Sequence, residues 1–151
     1  QTCCEKWAAV GQLKKNSIVV HCSGSLSSQI LITAKNKGCQ IASVHPMRSF
    51  ANPARSVEQY NGTYCAIEGD AEASRYLHDF FNQLGSISYE VDGSKKSVYH
   101  AAGVFASNYF VALFHEALNC LKDAGVNEEI GAKVILSLMQ GTLNNLEATL
   151  S

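Results

Sequence analysis

The chain has 151 residues, 46% of them apolar, with 12 Lys and Arg against 13 Asp and Glu and a formal net charge of −1. That length is enough to bury a sizeable core, and the balanced charge creates no field to steer nucleic acid or an anionic membrane surface toward the protein. No apolar run approaches the roughly eighteen residues of a membrane span and the opening Gln1-Thr2-Cys3-Cys4-Glu5-Lys6 does not resemble a secretory signal, so the chain reads as cytoplasmic.

Trp7, Val10 and Leu13 recur at intervals of three, which predicts a short amphipathic helix within residues 4–14. Ser17-Ile18-Val19-Val20-His21-Cys22 is a continuous apolar run with β-branched residues, the pattern of a strand covered on both faces. Ser23-Gly24-Ser25 then turns the chain into a helix over 26–37 that Gly38 ends. A second strand, Cys39-Gln40-Ile41-Ala42-Ser43-Val44, stops at His45-Pro46 because proline cannot donate to a central ladder. After an irregular stretch with Pro53 and Tyr60-Asn61-Gly62 come a third strand over 63–68, a helix over 71–84 with the Asp70 carboxylate over its free amides, and a fourth strand over 87–91 closed by Asp92-Gly93. Strands separated by helical patterns mean βαβ units and a mostly parallel sheet.

Beyond Ser94 the rhythm is purely helical. Val98, Ala101, Ala102, Phe105, Tyr109, Ala112, Leu113, Ala117 and Leu121 make one stripe over about 97–123, a helix of roughly 40 Å. Gly125-Val126-Asn127 breaks it, with Asn127 capping a second helix that opens on Glu128 and Glu129 and continues through Ile130, Val134, Leu138, Leu143 and Leu146. The absence of an initiator Met and of a C-cap after Leu150 reads as an excised fragment.

The six cysteines form no C-x-x-C pair, so reduced thiols are expected, with Cys22, Cys39 and Cys65 as small buried hydrophobes. No metal site is expected either: His115-Glu116 lacks the H-E-x-x-H spacing, since position 119 is Asn. Three stretches carry polar groups to places where open α/β sheets bind ligands, beyond the carboxyl ends of strands. In His21-Cys22-Ser23-Gly24-Ser25, amides and hydroxyls near a helix start suit an anion or the polar edge of a cofactor; alternatively Ser23 or Ser25 caps the helix and Gly24 supplies the turn. In Val44-His45-Pro46-Met47-Arg48, proline stiffens the strand exit and positions His45, an imidazole able to exchange a proton or to cap the sheet, while the Arg48 fork suits phosphate or carboxylate. On the long helix His100 and Asn108 are eight residues apart, sharing a face without bonding each other, and Tyr99 offers a phenol for donation or for anchored packing. No G-x-G-x-x-G and no P-loop lysine motif occurs.

The runs His21-Cys22-Ser23-Gly24, Ser43-Val44-His45-Pro46-Met47-Arg48-Ser49-Phe50, Ala66-Ile67-Glu68-Gly69 and Tyr99-His100-Ala101-Ala102-Gly103-Val104-Phe105-Ala106-Ser107-Asn108-Tyr109 resemble those of Rossmann-like proteins carrying the DUF2520 domain. More distantly they resemble NADP-dependent reductases and β-hydroxyacid dehydrogenases. The resemblance implies an α/β fold: a partial Rossmann-like, mostly parallel sheet over 1–94, followed by an α-helical, dimer-forming segment over 95–151, with the glycine-rich nucleotide loop upstream of Gln1. It implies cleft residues His45, Arg48, His100 and Asn108, with Ser23 and Gly24 toward an NADP or NAD cofactor that the full-length protein binds. The related dehydrogenases use a lysine as acid/base on their long helix, where this chain has His100. The expected function is an NAD(P)-dependent oxidoreductase acting on a small carbonyl or imine compound, with His100 first and His45 second as proton donor and Asn108 orienting the substrate. The alternative is a non-catalytic nucleotide-binding, metabolite-binding or dimerisation protein.

Overall fold

The computed structural model describes residues 2–50 and 52–150. They divide into two compact units, 1–103 and 104–151. The first is built on a four-stranded sheet of order β1-β2-β3-β4, comprising β1 (Ile18–His21), β2 (Gln40–Pro46), β3 (Tyr64–Gly69) and β4 (Ile87–Glu90). Its helices are α1 (Thr2–Ala9), α2 (Ile32–Lys35) preceded by a 3-10 turn over Ser28–Leu31, α3 (Pro53–Glu58), α4 (Ala71–Gln83) and α5 (Lys96–Gly103).

Two of the three strand pairs, β1 with β2 and β3 with β4, are parallel as expected for βαβ connections. The central pair, β2 with β3, is antiparallel. The reason lies in the connection over 47–63: its one helix, α3, has six residues, and the Met47 amide continues the ladder to the Tyr64 carbonyl at 2.8 Å. The chain therefore returns beside the strand end it left, in the manner of a wide hairpin. The same pairing carries β2 through His45 and Pro46 rather than ending it at Val44, with His45 opposite Ala66 and Pro46 opposite Cys65.

Alternation along the strands divides the core between the two faces. Ala42, Val44, Cys65 and Ile67 pack with Ala73 and Leu77 of α4. Ile41 packs with Cys4 of α1, Leu31, Ala34 and Cys39. Cys39 and Cys65 are buried as expected, whereas Cys22 is exposed because β1 ends at His21 and leaves it in the turn.

Local chemistry departs from expectation at two helix starts. The 26–37 helix begins only at Ser28, and its cap is Ser27, which accepts from the Gln29 amide; Ser23 instead accepts from the Leu26 amide within the turn. Asp70 makes no side-chain cap for α4. Its carboxylate accepts from the buried Ile41 amide at 3.0 Å and from the Lys35 ammonium at 2.5 Å, so it ties α2 and β2 together. Burial acts to raise its pKa, but the hydrogen bonds from Lys35 and Ile41 and the Lys35 charge outweigh that and hold the carboxyl below its ordinary range.

In the second unit, Val104–Tyr109 is wound as a π-helix and is followed by α6 (Phe110–Asp123) and α7 (Glu128–Leu150). The regular helical repeat expected over 97–123 is thus interrupted, as occurs where one residue is accommodated within a helix. Asn127 caps α7 by accepting from the amides of Glu129 and Ile130 at 3.0 and 3.4 Å. A Cβ at Gly131 would stand 3.1 Å from Leu118, so glycine lets α7 approach α6 closely. No helix among the described residues is long and apolar enough to cross a membrane.

Candidate functional site

The carboxyl end of β1 opens into the turn Ser23-Gly24-Ser25, and the His21 ring holds both sides of that turn. The Ser23 amide donates to His21 Nδ1 at 3.1 Å, which leaves Nε2 to donate to the Ser27 carbonyl at 3.1 Å. Gly24 sits against two imidazoles. A Cβ there would lie 2.8 Å from His45 Nε2 and 2.9 Å from His100 Nδ1, so any side chain would displace one ring. The rings of His45 and His100 have centroids 6.4 Å apart. Two of the residues expected in the cleft, one from a strand exit and one from a helix 55 positions later, therefore meet over the glycine of the third expected stretch.

Strand register explains the room around His45. Ala66 lies opposite His45 on one side and Tyr89 on the other, so a methyl group separates two large residues on the same face. The Tyr99 side chain of α5 enters that gap. Its phenol lies 3.0 Å from His45 Nδ1 and accepts from the Tyr89 hydroxyl at 3.3 Å. One turn earlier, Lys96 is almost wholly buried, and its ammonium donates to Ser43 Oγ at 3.0 Å. Ser43 in turn donates to the Ser23 carbonyl at 3.4 Å, which links α5 and β2 to the turn. The carboxylate of Glu68 accepts from the Ser28 amide at 2.6 Å and the Ser28 hydroxyl at 2.8 Å.

These neighbours set the protonation of the site. Burial, then the charge of Lys96 and the neighbouring His100, push the pKa of His45 down, so the ring is neutral at physiological pH. Burial, and then the neighbouring Tyr89 phenol, push the Tyr99 phenol far up, which keeps its proton on the oxygen. Burial lowers Lys96, opposed by Glu68 and Cys22.

Arg48 lies at the start of the β2–β3 connection with its guanidinium engaged. It donates to the Gln59 carbonyl, to the Gln59 side chain at 3.2 Å and to Thr63 Oγ1 at 3.3 Å, and so clamps the two ends of α3's loop. Asn108 lies in the π-helical segment of the second unit. Two cavities, of about 610 and 470 Å³, are lined by other residues, among them Phe50, Val57 and Leu84 in one and Arg75, His78 and Glu90 in the other. No group of three or more His, Cys, Asp or Glu among the described residues could hold a metal ion.

Sequence reasoning missed Lys96, Tyr89 and Ser43 as parts of this cluster, and it singled out the His21–Ser25 stretch without assigning the His21 ring its hold on the turn. Lysine is almost never fully buried, so nothing local points to the burial of Lys96. A detectable signal was the small Ala66 between two ring-bearing strand positions, but it requires the register to be known.

The DUF2520 family profile, a domain of unknown function, matches residues 63–150, more than half of the sequence. The chain belongs to the DUF2520 family. The protein TM1727 from Thermotoga maritima is 31% identical to it with a TM-score of 0.72 over 87% of this chain and 49% of that one. BF3122 from Bacteroides fragilis, named provisionally as an NADP oxidoreductase, is 20% identical with a TM-score of 0.69 over 95% of this chain and 54% of that one. A pyrroline-5-carboxylate reductase from Coxiella burnetii is 9% identical with a TM-score of 0.64, covering 95% and 51%. The last two show the shared Rossmann-like fold alone, and the chain spans about half the length of each. A search of curated proteins finds no match.

Proposed function

We propose that the protein is an NAD(P)-dependent oxidoreductase that reduces a small carbonyl or imine compound. The observation that carries this reading is the convergence of His45 and His100 on Gly24 at the exposed end of a strand, a place where open α/β sheets bind cofactors. The fold shared with named reductases supports it.

The Ser23-Gly24-Ser25 turn fits the reactive end of a nicotinamide cofactor. The two imidazoles fill the space beside the buried Gly24 and bring no negative charge, while the half-buried Ser23 and exposed Ser25 offer hydroxyls on the solvent side. Ser23, Gly24, Ser25 and His45 would hold that end, while the Arg48 guanidinium is engaged by Gln59 and Thr63; no glycine-rich phosphate loop occurs in these residues. The cofactor would supply hydride, and the protein must then hold the acceptor carbon in place and provide a proton to the developing oxygen or nitrogen. His100 is exposed and is our first assignment for that proton, with His45 second.

Phe105, Leu113, Val134 and Leu138 of the second unit leave more than half of their surface exposed. Apolar exposure on this scale supports a homodimer formed through the helical segment.

The test is consumption of NADPH and NADH by the protein carrying this chain, against a panel of small carbonyl and imine compounds. Turnover that is lost in His100→Gln is expected. Tight cofactor binding without turnover on any acceptor would overturn the reading in favour of a sensor.

A further inference from the structure

We propose that Tyr99, backed by Tyr89, fixes His45 as the neutral tautomer that carries its proton on Nε2, and so makes it a hydrogen-bond donor that selects ligands presenting a lone pair. This rests on the oxidoreductase reading of the same site and divides the work between the two imidazoles: His45 polarises the acceptor group, and His100 delivers the proton.

The argument follows the hydrogen atoms. The Tyr89 hydroxyl donates to the Tyr99 oxygen at 3.3 Å, so the Tyr99 proton is free to point elsewhere, and His45 Nδ1 at 3.0 Å is the acceptor within reach. A neutral imidazole has one donor and one acceptor nitrogen. Once Nδ1 accepts, the proton must reside on Nε2, the atom that stands beside Gly24. The opposite direction would need Tyr99 to accept from both Tyr89 and His45 while its own proton, in a half-buried position, found no partner among these groups, which is unfavourable.

Charge reinforces the choice. The groups facing His45 are Lys96, Tyr99 and His100 from α5, Tyr89 across Ala66 from β4 and the Ser23-Gly24 turn; none is anionic. Glu68, the acidic residue of the adjoining strand, is engaged by Ser28. A cationic imidazolium is disfavoured in such surroundings, and a neutral Nε2–H remains.

The chemical consequence is substrate class. An N–H aimed at the turn donates to a carbonyl oxygen or an imine nitrogen and is left unpaired by a ligand group that can only donate. In the reductive direction it polarises the double bond and stays bonded to the developing anion, with no proton leaving it, as an electrophilic donor should.

Nitrogen-15 NMR of the protein with labelled histidine reads the tautomer directly, without turnover. The expected result is an unprotonated Nδ1 and a protonated Nε2 for His45 at neutral pH, and a mixture of both tautomers in Tyr99→Phe. Tyr89→Phe keeps the inner hydrogen bond and is expected to shift the balance only in part; it also serves if Tyr99→Phe does not fold. A wild-type His45 protonated on Nδ1, or a tautomer unchanged in Tyr99→Phe, would overturn the proposal. Because this readout is independent of activity, a correct tautomer in a protein that turns nothing over would sink the oxidoreductase reading and leave the arrangement of His45 standing.

Discussion

The two units solve the problem of polar groups in opposite ways. The sheet unit buries polar and charged residues, including Ser28, Ser43, Thr63 and Lys96, and gives each of these four a hydrogen-bond partner. In the helical unit Ile135 is the one buried apolar side chain among the described residues, while Phe105, Leu113, Val134 and Leu138 are exposed. A unit that covers its own core can maintain internal polar groups in fixed geometry, as a reaction site requires. One that does not must find its cover in another surface.

The largest expected effect follows from the first half of that contrast. His100→Gln should lower kcat/KM by about 10²–10⁴, the usual contribution of general acid catalysis, in a steady-state assay with NADPH; a loss below about tenfold would remove His100 from that role. Gly24→Ala comes next. Its methyl group would meet both imidazoles at 2.8–2.9 Å, and a displacement of that kind is expected to cost about 100-fold in kcat with the melting temperature nearly unchanged.

For the helical unit, Leu113→Glu and Leu138→Glu place a charge on each exposed face. Sedimentation should show the dimer weakened by at least about tenfold in Kd, equivalent to roughly 1.4 kcal/mol, while the sheet unit's thermal unfolding stays in place. A protein that sediments as a monomer before mutation would break the comparison.

Within the sheet unit, Asp70→Ala should destabilise by about 1–3 kcal/mol in urea unfolding, because it leaves the Ile41 amide without its acceptor. The pH dependence has a fixed sign. Asp70 has a depressed pKa when folded, so its contribution is complete above the ordinary value of 3.8 and is lost as pH falls through the lower folded value; Asp70→Ala should remove that part of the acid limb.

The smallest effect belongs to Lys96. Its pKa is lowered by burial, so below its ordinary value of 10.5 the ammonium opposes folding, and Lys96→Met should leave the melting temperature unchanged or raise it. The same change removes a charge beside His45, whose pKa should then rise toward 6.5 in an NMR titration. A marked fall in stability would show that the Lys96 to Ser43 hydrogen bond contributes more than the charge costs.

The contrast also marks what was legible in the residues. A continuous apolar run rich in β-branched residues announced β1, Asn127 announced the start of α7, and His45 and His100 stood out as imidazoles at a strand exit and on a slim helix. Burial hid the rest. The antiparallel β2–β3 pairing depends on where a 17-residue excursion, 47–63, returns, and no local period encodes that. Lys96 carries no local mark of burial, and only the fold sets it against Ser43. Asp70 reads as a cap because the competing partners, Lys35 and Ile41, lie some 30 positions away. Tyr99 and Tyr89 acquire meaning only through Ala66, whose small side chain matters once three strands are in register.

The account rests on the turn at Gly24 being where the cofactor's reactive end meets two imidazoles. A crystal of the protein soaked with NADPH tests this most directly. The nicotinamide ring is expected beside Ser23 and Gly24, within reach of His45 and His100; a ring bound away from that turn in a protein that turns over carbonyl or imine compounds would contradict it.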